Sequence, residues 1–289
     1  RRVLFRSRGL LVTSAKPGQF VAGADLREVA ALGDDAAALG LLIDDGRRLF
    51  AALAALPFPT VGLVDGACLG GGMELLLALD DRLLSTAPHT RVGLPEVKVG
   101  LMPAWGGTQR LPRLVGLHHA LEMIATGEPV DARRAVAIGA AFDAVPAERL
   151  VDEGVRLLGM LAAGGAWRET RRARGEALRV SDEAWRFARF AAEAALAERD
   201  RGPATASRAA LAAVCDGCRL PLDEGLAVER GAAIDLFGTS SAHALVGLFF
   251  DRQRRSRGTG VADRAVAPRA VSRVGVVGAG QMGSGIAAA

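Results

Sequence analysis

Residues 60–79 read TVGLVDGACLGGGMELLLAL, and this stretch decides the fold class. Its first five residues form an apolar run between Pro and Asp-Gly, which predicts a buried strand. Met73–Leu79 predicts an apolar helix, and three glycines, Gly70–Gly72, lie just before it. Because the glycines leave backbone N–H groups bare at a helix N-terminus, such a turn can stabilise a developing oxyanion. The stretch therefore predicts a strand, an anion-binding turn and a helix.

Strands and helices alternate up to about residue 145. Gly9–Thr13 predicts another buried strand, and Asp34–Leu56 has apolar residues at helical spacing until Pro57 ends the pattern. A strand, a crossover helix and a second strand indicate the α/β fold class. We therefore assign residues 1–145 to an α/β domain.

Beyond residue 145 the strand signals fade. Residues 146–268 are rich in Ala, Leu, Arg and Glu, and the last part of this stretch is polar and carries Gly and Pro. This composition predicts a helical region that ends in a linker. A domain boundary is expected there.

Residues 269–289 carry the pattern of a nucleotide-binding turn. Arg273–Val277 predicts a strand, and a GxGxxG motif at Gly278, Gly280 and Gly283 precedes a helical stretch. Glycines at these positions permit a tight turn and close approach of the backbone to a pyrophosphate, as at the start of a Rossmann domain. A Gly-rich tail is the alternative.

Composition argues against several other classes of protein. Half of the 289 residues are hydrophobic, yet charged residues interrupt the richest apolar run, so no membrane span is expected. The net charge of +4 suits a phosphate-bearing ligand, whereas no aromatic residues interleave with the arginine runs, which argues against nucleic-acid binding. Three cysteines cannot all pair within one chain, which favours a reducing compartment and, by default, the cytoplasm.

Two carboxylates stand in unlike settings. Glu74 lies in the first turn of the predicted helix, where the dipole favours its ionised form and a role as a base. Glu96 lies in Val92–Val97, an apolar and extended segment in which desolvation raises a carboxyl pKa. One carboxylate base and one carboxylic acid can together add water across a conjugated double bond. On spacing alone, a helix-dipole role for Glu74 and a surface position for Glu96 remain alternatives.

Four motifs, in this order, resemble the enoyl-CoA hydratase (crotonase) family. They are FVAGADL at 20–26, DGACLGGGMEL at 65–75, GLPEVKVGLMP at 93–103 and GGTQRLPR at 106–113. The helical sequence LPLDEGLAVER at 220–230 and the GxGxxG motif extend the resemblance to the multifunctional α subunits of fatty-acid oxidation complexes. In these proteins a hydratase precedes an NAD-dependent 3-hydroxyacyl-CoA dehydrogenase.

The resemblance implies a crotonase-type spiral of repeated ββα units and a hydratase of fatty-acid β-oxidation. It also implies that the N–H groups of Ala24 and Gly71 form an oxyanion hole for the thioester carbonyl. Glu74 and Glu96 would hold the water between them. Glu74 would help to deprotonate the water for attack at C3, and Glu96 would deliver a proton to C2. The hydratase would need neither a cofactor nor a metal.

Further substrate contacts follow from the same resemblance. The loop from Ala22 to Asp25 would meet the adenine end of the acyl-CoA thioester, with Lys16 or Arg27 as phosphate contacts. Trp105 would shape the acyl pocket. The glycines of the GxGxxG motif would bind NAD in the dehydrogenase part, and a thiolase subunit would be a partner of the whole protein.

Some features depart from the family pattern. The family usually has glycine after Pro103, where this chain has Ala104, and a positive φ there would cost about 1 kcal/mol. The family's first strands should precede Gly9 and are absent, the chain begins with Arg1, and it stops at Ala289 within a nascent helix. We therefore expect both ends to be cut.

Several other assignments remain open. An isomerase or a CoA-ester hydrolase on the same fold is possible, as is a non-catalytic subunit that binds acyl-CoA. The presence of both glutamates favours hydration, because isomerisation can run on one carboxylate. His118, His119 and Glu122 are expected on a helix surface, and Cys215 with Cys218 lacks a second ligand pair, so no metal site is predicted.

Overall fold

A computed structural model of the chain describes residues 7–33, 35–199, 205–257, 272–278 and 280–288. The chain divides into two compact units, Arg1–Gly247 and Leu248–Ala289. The predicted site residues all lie within these ranges, whereas part of the predicted linker does not. Residues 258–271 of that linker, and the arginine-rich start at 1–6, lie outside the described residues.

The chain of the first unit alternates between two sheets. The described strands are β1 (Leu10–Val12), β2 (Gln19–Val21), β3 (Thr60–Val64), β4 (Ala67–Leu69), β5 (Asp81–Ser85), β6 (Arg91–Gly93), β7 (Val130–Asp131) and β8 (Asp143–Val145). One sheet has the order β1-β3-β5-β8 and is parallel. The other has the order β2-β4-β6-β7, in which only β7 is antiparallel to its neighbour. Helix follows each of the pairs β1–β2, β3–β4 and β5–β6, whereas α6 separates β7 from β8. The predicted α/β spiral of ββα units is therefore confirmed.

Helices fill the connections and most of the C-terminal half. They are α1 (Leu26–Ala31), α2 (Ala36–Ala54), α3 (Gly71–Leu77), α4 (Gly107–Val115), α5 (Leu117–Thr126), α6 (Ala132–Ala137), α7 (Leu150–Gly164), α8 (Trp167–Gly175), α9 (Asp182–Arg199), α10 (Thr205–Gly217), α11 (Leu222–Phe237), α12 (Ser240–Arg257) and α13 (Gln281–Ala288). The helix expected at 34–56 is α2, whose N-cap Asp35 accepts a hydrogen bond from the Ala38 N–H. The strand expected at 60–64 is β3, and all five of its residues are buried.

The hydrophobic core of the first unit crosses residue 145. Met73 and Leu94 of the α/β part share one buried cluster with Leu196, Val214 and Phe237 of the helical part. Helices α10 and α11 pack against α4, α5 and α2. The boundary predicted at 145/146 therefore marks a change of secondary structure within one compact unit.

An ion pair ties α8 to the sheet. Arg171 donates two hydrogen bonds to Asp80, of 2.5 and 2.6 Å, and two more to the carbonyls of Leu56 and Phe58. Asp80 also accepts hydrogen bonds from the N–H and the hydroxyl of Thr60 at the start of β3. Because Asp80 is only 5% exposed and Arg171 19%, loss of one partner leaves an unpaired charge away from water.

The second unit contains α13 and the segment before it. Residues 273–277 pair with no strand in the described ranges, so the strand predicted there is not formed, whereas the predicted helix is present as α13. Within the described residues no single helix is long and apolar enough to cross a membrane. The bent pair Leu222–Phe237 and Ser240–Arg255 meets that test by length and composition alone.

We expect Arg171→Ala to lower the free energy of unfolding by about 3 kcal/mol, because it leaves the buried carboxylate of Asp80 without its charged partner. The free energy of unfolding is measured by urea titration at pH 7. Arg172→Ala, which replaces the exposed neighbour, is the control and should change the free energy by less than about 0.5 kcal/mol. Equal effects of the two substitutions would contradict the role given to this ion pair.

Candidate active site

Two backbone N–H groups from different elements come together at the start of α3. Ala24 lies between β2 and α1, and Gly71 is the first residue of α3. A Cβ built on Gly71 would lie 3.7 Å from the Ala24 nitrogen, and one built on Gly23 would lie 3.9 Å from the Gly71 nitrogen. Within the described ranges neither N–H donates to a protein acceptor. The two N–H groups thus lie close together and have no protein acceptor, and their role as an oxyanion hole, which the resemblance implies, stays a prediction.

Gly70 makes this turn possible. Its φ of +56° and ψ of −129° are strained for any residue with a side chain. A Cβ built there would lie 3.2 Å from Oε1 of Glu96 and 3.6 Å from Cα of Gly23. The Gly70 N–H donates to the carbonyl of Gly93, 2.9 Å away, which fixes the turn beside β6. Only glycine leaves room for the N–H pair and the Glu96 carboxyl to lie side by side.

Glu74 lies in the first turn of α3 and is 2% exposed. Its Oε1 accepts hydrogen bonds from the N–H groups of Trp105, at 2.7 Å, and Gly107, at 2.8 Å. These donors belong to the start of α4, so the carboxylate caps a helix other than its own. The buried charge is therefore held by the N-terminus of a neighbouring helix.

Glu96 differs from its predicted setting. Pro95 has a φ of −84° and a ψ of 8°, and Glu96 opens a 3₁₀ helix, Glu96–Val99, that ends at Gly100 with φ +80°. The expectation of an extended segment was wrong, because Pro95 fits the first turn of a helix as well as it fits a strand. The Glu96 side chain points back at Gly70, and its Oε2 is buried without a hydrogen-bond partner.

Trp105 connects α2 to the oxyanion turn. Its Nε1 donates to the Leu42 carbonyl at 3.3 Å, and its ring meets Phe50 edge-on with centroids 5.8 Å apart. A Cβ built on Gly71 would lie 2.5 Å from Cζ3 of the indole. The indole therefore packs directly on the turn, where it can limit the space for an acyl chain. No described residue other than glycine has a positive φ, so the strain considered for Ala104 does not arise.

A third buried carboxylate, Glu229 of α11, completes the site and was missed in the sequence analysis. It is fully buried and accepts hydrogen bonds from Gly106 N–H, at 2.7 Å, and from the N–H and hydroxyl of Thr108, at 2.9 and 2.6 Å. A signal was present in the sequence. Glu229 falls on the buried face of α11 between Leu226 and Ala233, where a charged residue needs a partner.

All three carboxyls have raised pKa values. Burial raises the pKa of Glu74 well above its ordinary value, and the charges of Glu96 and Glu229 raise it further, although the N–H groups of Gly107 and Trp105 act against this. Burial raises the pKa of Glu96 to about 8 and that of Glu229 to about 7. Desolvation thus opposes the effect expected from the helix dipole, and the role of Glu74 as a base stays a prediction. Glu96 therefore favours its protonated form at neutral pH.

The predicted CoA contacts are exposed to solvent. Ala22 and Asp25 are exposed, and Lys16 is exposed in the turn between β1 and β2. Asp25 is the N-cap of α1 and forms a two-pronged ion pair with Arg27, which holds the pKa of Asp25 at about 2. Asp25 is thus engaged with Arg27, and its role toward CoA stays a prediction, as does that of Lys16.

The candidate metal ligands have other partners or are deeply buried. His118, His119 and Glu122 have ligand atoms within 4.8 Å of one another, and Arg134 lies 3.5 Å from Glu122. A guanidinium at that distance competes with a cation. Cys215 and Cys218 are buried free thiols, and burial raises the pKa of Cys215 to about 12, which disfavours the thiolate that a metal needs.

The GxGxxG turn of the second unit has the close approach that its glycines permit. Gly278 has a φ of +107°, and a Cβ built on Gly283 would lie 1.8 Å from the Gly278 carbonyl oxygen. Gly283 therefore tolerates no side chain, and the turn leads directly into α13. This local geometry fits the start of a pyrophosphate-binding turn.

Known proteins share both sequence and fold with this chain. Residues 6–179 match the family model described as enoyl-CoA hydratase/isomerase. The chain is 38% identical over 279 residues to the fatty acid oxidation complex subunit alpha of Vibrio cholerae, a match over 96% of this chain. The chain spans 39% of the length of that curated relative.

Solved structures agree with this assignment. An enoyl-CoA hydratase from Bacillus anthracis aligns with a TM-score of 0.51 and 27% identity, over 86% of this chain and 79% of that one. A carnitinyl-CoA dehydratase from Mycobacterium thermoresistibile, at 24% identity, shares the fold with a TM-score of 0.61, over 84% and 76% of the two chains. The family match covers more than half of the chain, and the chain therefore belongs to the enoyl-CoA hydratase/isomerase family.

Proposed function

We propose that the chain hydrates trans-2-enoyl-CoA thioesters to 3-hydroxyacyl-CoA. The observation that carries the proposal is a pair of carboxylates, the buried Glu74 and the half-buried Glu96 with its shielded Oε2, beside the neighbouring N–H groups of Ala24 and Gly71. An enoyl thioester gains negative charge on its carbonyl oxygen when a nucleophile attacks C3. Two N–H donors aimed at that oxygen stabilise the charge, each by about 3 kcal/mol in comparable sites.

The two carboxylates supply the proton transfers. A water molecule held between them loses a proton to Glu74 while its oxygen bonds to C3, and the thioester becomes an enolate. Glu96 then gives a proton to C2, and the enolate returns to the thioester. One proton is taken up and one released, so the sum is the addition of H₂O, and proton exchange with solvent restores both groups. The raised pKa of Glu96, about 8, supports its role as the acid at neutral pH.

The physiological substrates we propose are the enoyl-CoA esters of fatty-acid β-oxidation. The curated relative is a fatty acid oxidation complex subunit alpha, and this chain matches it over 279 residues. We place the parent protein in the cytoplasm, because the three free cysteines of the chain favour a reducing compartment. A thiolase subunit is its proposed partner, as the resemblance implies. The hydratase reaction itself uses no cofactor.

We further propose that the segment around Gly278–Gly283 opens an NAD-binding domain of the parent protein, with residues 1–145 and 146–268 as its hydratase and helical parts. The glycine turn and the N-terminus of α13 would hold the pyrophosphate of NAD. NAD would supply a hydride acceptor for a 3-hydroxyacyl-CoA, the product of hydration. The close approach of Gly283 to the Gly278 carbonyl supports this assignment of the glycine turn.

Glu74→Gln and Glu96→Gln should each lower kcat for crotonyl-CoA hydration by at least about 100-fold, because each removes one proton transfer. The loss of the enoyl-thioester absorbance measures the rate. Glu183→Gln, which changes an exposed carboxylate on α9, is the control and should keep the wild-type rate. Full activity in either active-site variant would overturn its role. Retained isomerisation of a 3-enoyl-CoA in one of them would instead identify an isomerase that needs a single carboxylate.

Trp105→Ala should shift the preference toward longer acyl chains, because it removes the indole packed against Gly71 and keeps the backbone N–H that Glu74 requires. We expect the ratio of kcat/KM for decenoyl-CoA over crotonyl-CoA to rise by at least about 10-fold, the lower end of the effect of one methylene in an apolar pocket. An unchanged ratio would show that Trp105 does not line the acyl pocket.

Gly283→Ala should abolish NAD⁺ binding by the parent protein, because a Cβ at that position collides with the Gly278 carbonyl. Gly285→Ala in the same helix is the matched control, since a Cβ there has nothing within 4 Å. Calorimetric titration of NAD⁺ into the parent protein measures the binding. Equal affinities for the two variants would rule out this turn as the pyrophosphate site.

A further inference from the structure

We propose that Glu229 is a positioning residue that holds the Glu74 carboxylate in place through the start of α4. This inference rests on the proposed hydration, in which Glu74 acts directly on the water. Glu229 lies on α11, 155 positions along the chain from Glu74, and makes no predicted contact with substrate.

Four consecutive N–H groups alternate between the two carboxylates. Those of Trp105 and Gly107 donate to Glu74, and those of Gly106 and Thr108 donate to Glu229. Successive N–H groups at a helix start point in different directions. One carboxylate can therefore accept from only some of the four N–H groups. The remaining N–H groups need a second acceptor, and the position of that acceptor sets their direction. With Glu229 in place, the Trp105 and Gly107 donors are fixed toward Glu74.

Among the described residues, Glu229 is the acceptor for the N–H groups of Gly106 and Thr108. Glu229 is fully buried and its two oxygens accept three hydrogen bonds of 2.6 to 2.9 Å. Gly106, whose N–H binds Glu229, has a φ of +115°, so the segment there is not constrained by a side chain of its own. If the Glu229 carboxylate is removed, the segment loses its acceptors and Glu74 loses its fixed donors.

Glu229 also acts on the site through its charge. Its ionised form raises the pKa of both Glu74 and Glu96, and burial raises its own pKa to about 7. The charged groups that face it from the surrounding elements are Arg47 of α2, Glu74 of α3, Glu96 of the 3₁₀ helix and Arg110 of α4. Asp223, also on α11, acts on Arg110.

The sign of the resulting pH effect follows from these charges. Above about pH 7 Glu229 carries a negative charge that helps Glu96 to keep its proton. Neutralising residue 229 therefore lowers the pKa of Glu96. If Glu96 is the acid, the alkaline limb of the kcat/KM profile moves to lower pH.

The test is Glu229→Gln in the full chain, assayed with crotonyl-CoA. Gln keeps the volume but replaces one acceptor oxygen with a donor, so at least one of the three hydrogen bonds is lost. We expect kcat to fall by about 100-fold, the order of effect of a 1 Å misplacement, while KM changes little. The alkaline limb should move to lower pH by about half a unit or more. Glu224→Gln, an exposed carboxylate on the same helix, is the matched control.

Thr108→Val is the second variant, for the case in which Glu229→Gln does not fold. It removes the 2.6 Å hydroxyl bond to Glu229 and the acceptor of a 3.0 Å bond from Gln109 Nε2, and it leaves both backbone bonds and the Glu229 charge. We expect kcat to fall by about 3- to 10-fold. Circular dichroism and urea titration establish that the variants are folded under assay conditions.

The outcomes separate this inference from the proposed function. A wild-type chain that does not hydrate crotonyl-CoA overturns the proposed function. A wild-type chain that hydrates it, together with folded Glu229→Gln and Thr108→Val variants that keep the wild-type kcat and pH profile, overturns the positioning role alone. A lower yield of folded protein with an unchanged kcat per folded molecule and an unchanged profile would likewise show that Glu229 is only structural.

Discussion

The N-terminus of α4 binds two buried carboxylates at once, and the arrangement of the site depends on it. Glu74 from α3 and Glu229 from α11 would each be costly to bury without hydrogen bonds. The exposed N–H groups at the start of a helix, together with its dipole, offset that cost. To reach these donors α3 and α11 must approach α4 from different sides. The helical half of the chain is thus drawn into the core of the α/β half, and a boundary near residue 145 does not separate compact units.

The chemistry of the site follows from the same arrangement. Burial raises the pKa of Glu74, Glu96 and Glu229, so three carboxyls with raised proton affinity lie close to the N–H groups of Ala24 and Gly71. Trp105 links these parts: its N–H binds Glu74 while its indole packs on Gly71. A change at Trp105 can therefore alter both the position of a carboxylate and the space for a substrate. The segment at Trp105 therefore contributes both to the position of Glu74 and to the proposed acyl pocket.

Local sequence patterns predicted the parts of the fold that local forces determine. The buried strand at 60–64, the glycine turn and the helix α2 each depend on spacing within a few residues, and all are present. The resemblance to the crotonase family supplied the Ala24 and Gly71 pair, which joins elements that spacing alone cannot relate. Glu96 was placed on an extended segment because Pro95 suits a strand as well as the start of a 3₁₀ helix.

The contacts of the carboxylates could not be predicted in the same way. Glu74 finds its donors about 30 positions along the chain and Glu229 more than 120 positions away. The sequence around Glu74 shows only the dipole of α3, which favours the ionised form. Burial and the charges of Glu96 and Glu229, which come from distant parts of the chain, raise the pKa of Glu74. The strand expected at 273–277 lacks a described partner strand, and strands are stabilised by such partners.

The proposed hydration requires that Glu74 and Glu96 hold one water beside the turn at Gly71. A crystal structure of the chain with butanoyl-CoA, an unreactive saturated thioester, tests it most directly. The account predicts that the thioester oxygen accepts hydrogen bonds of about 2.9 Å from the N–H groups of both Ala24 and Gly71, with one ordered water touching both carboxyls. A thioester bound away from these N–H groups, or two carboxyls that point apart with no shared water, would contradict the account.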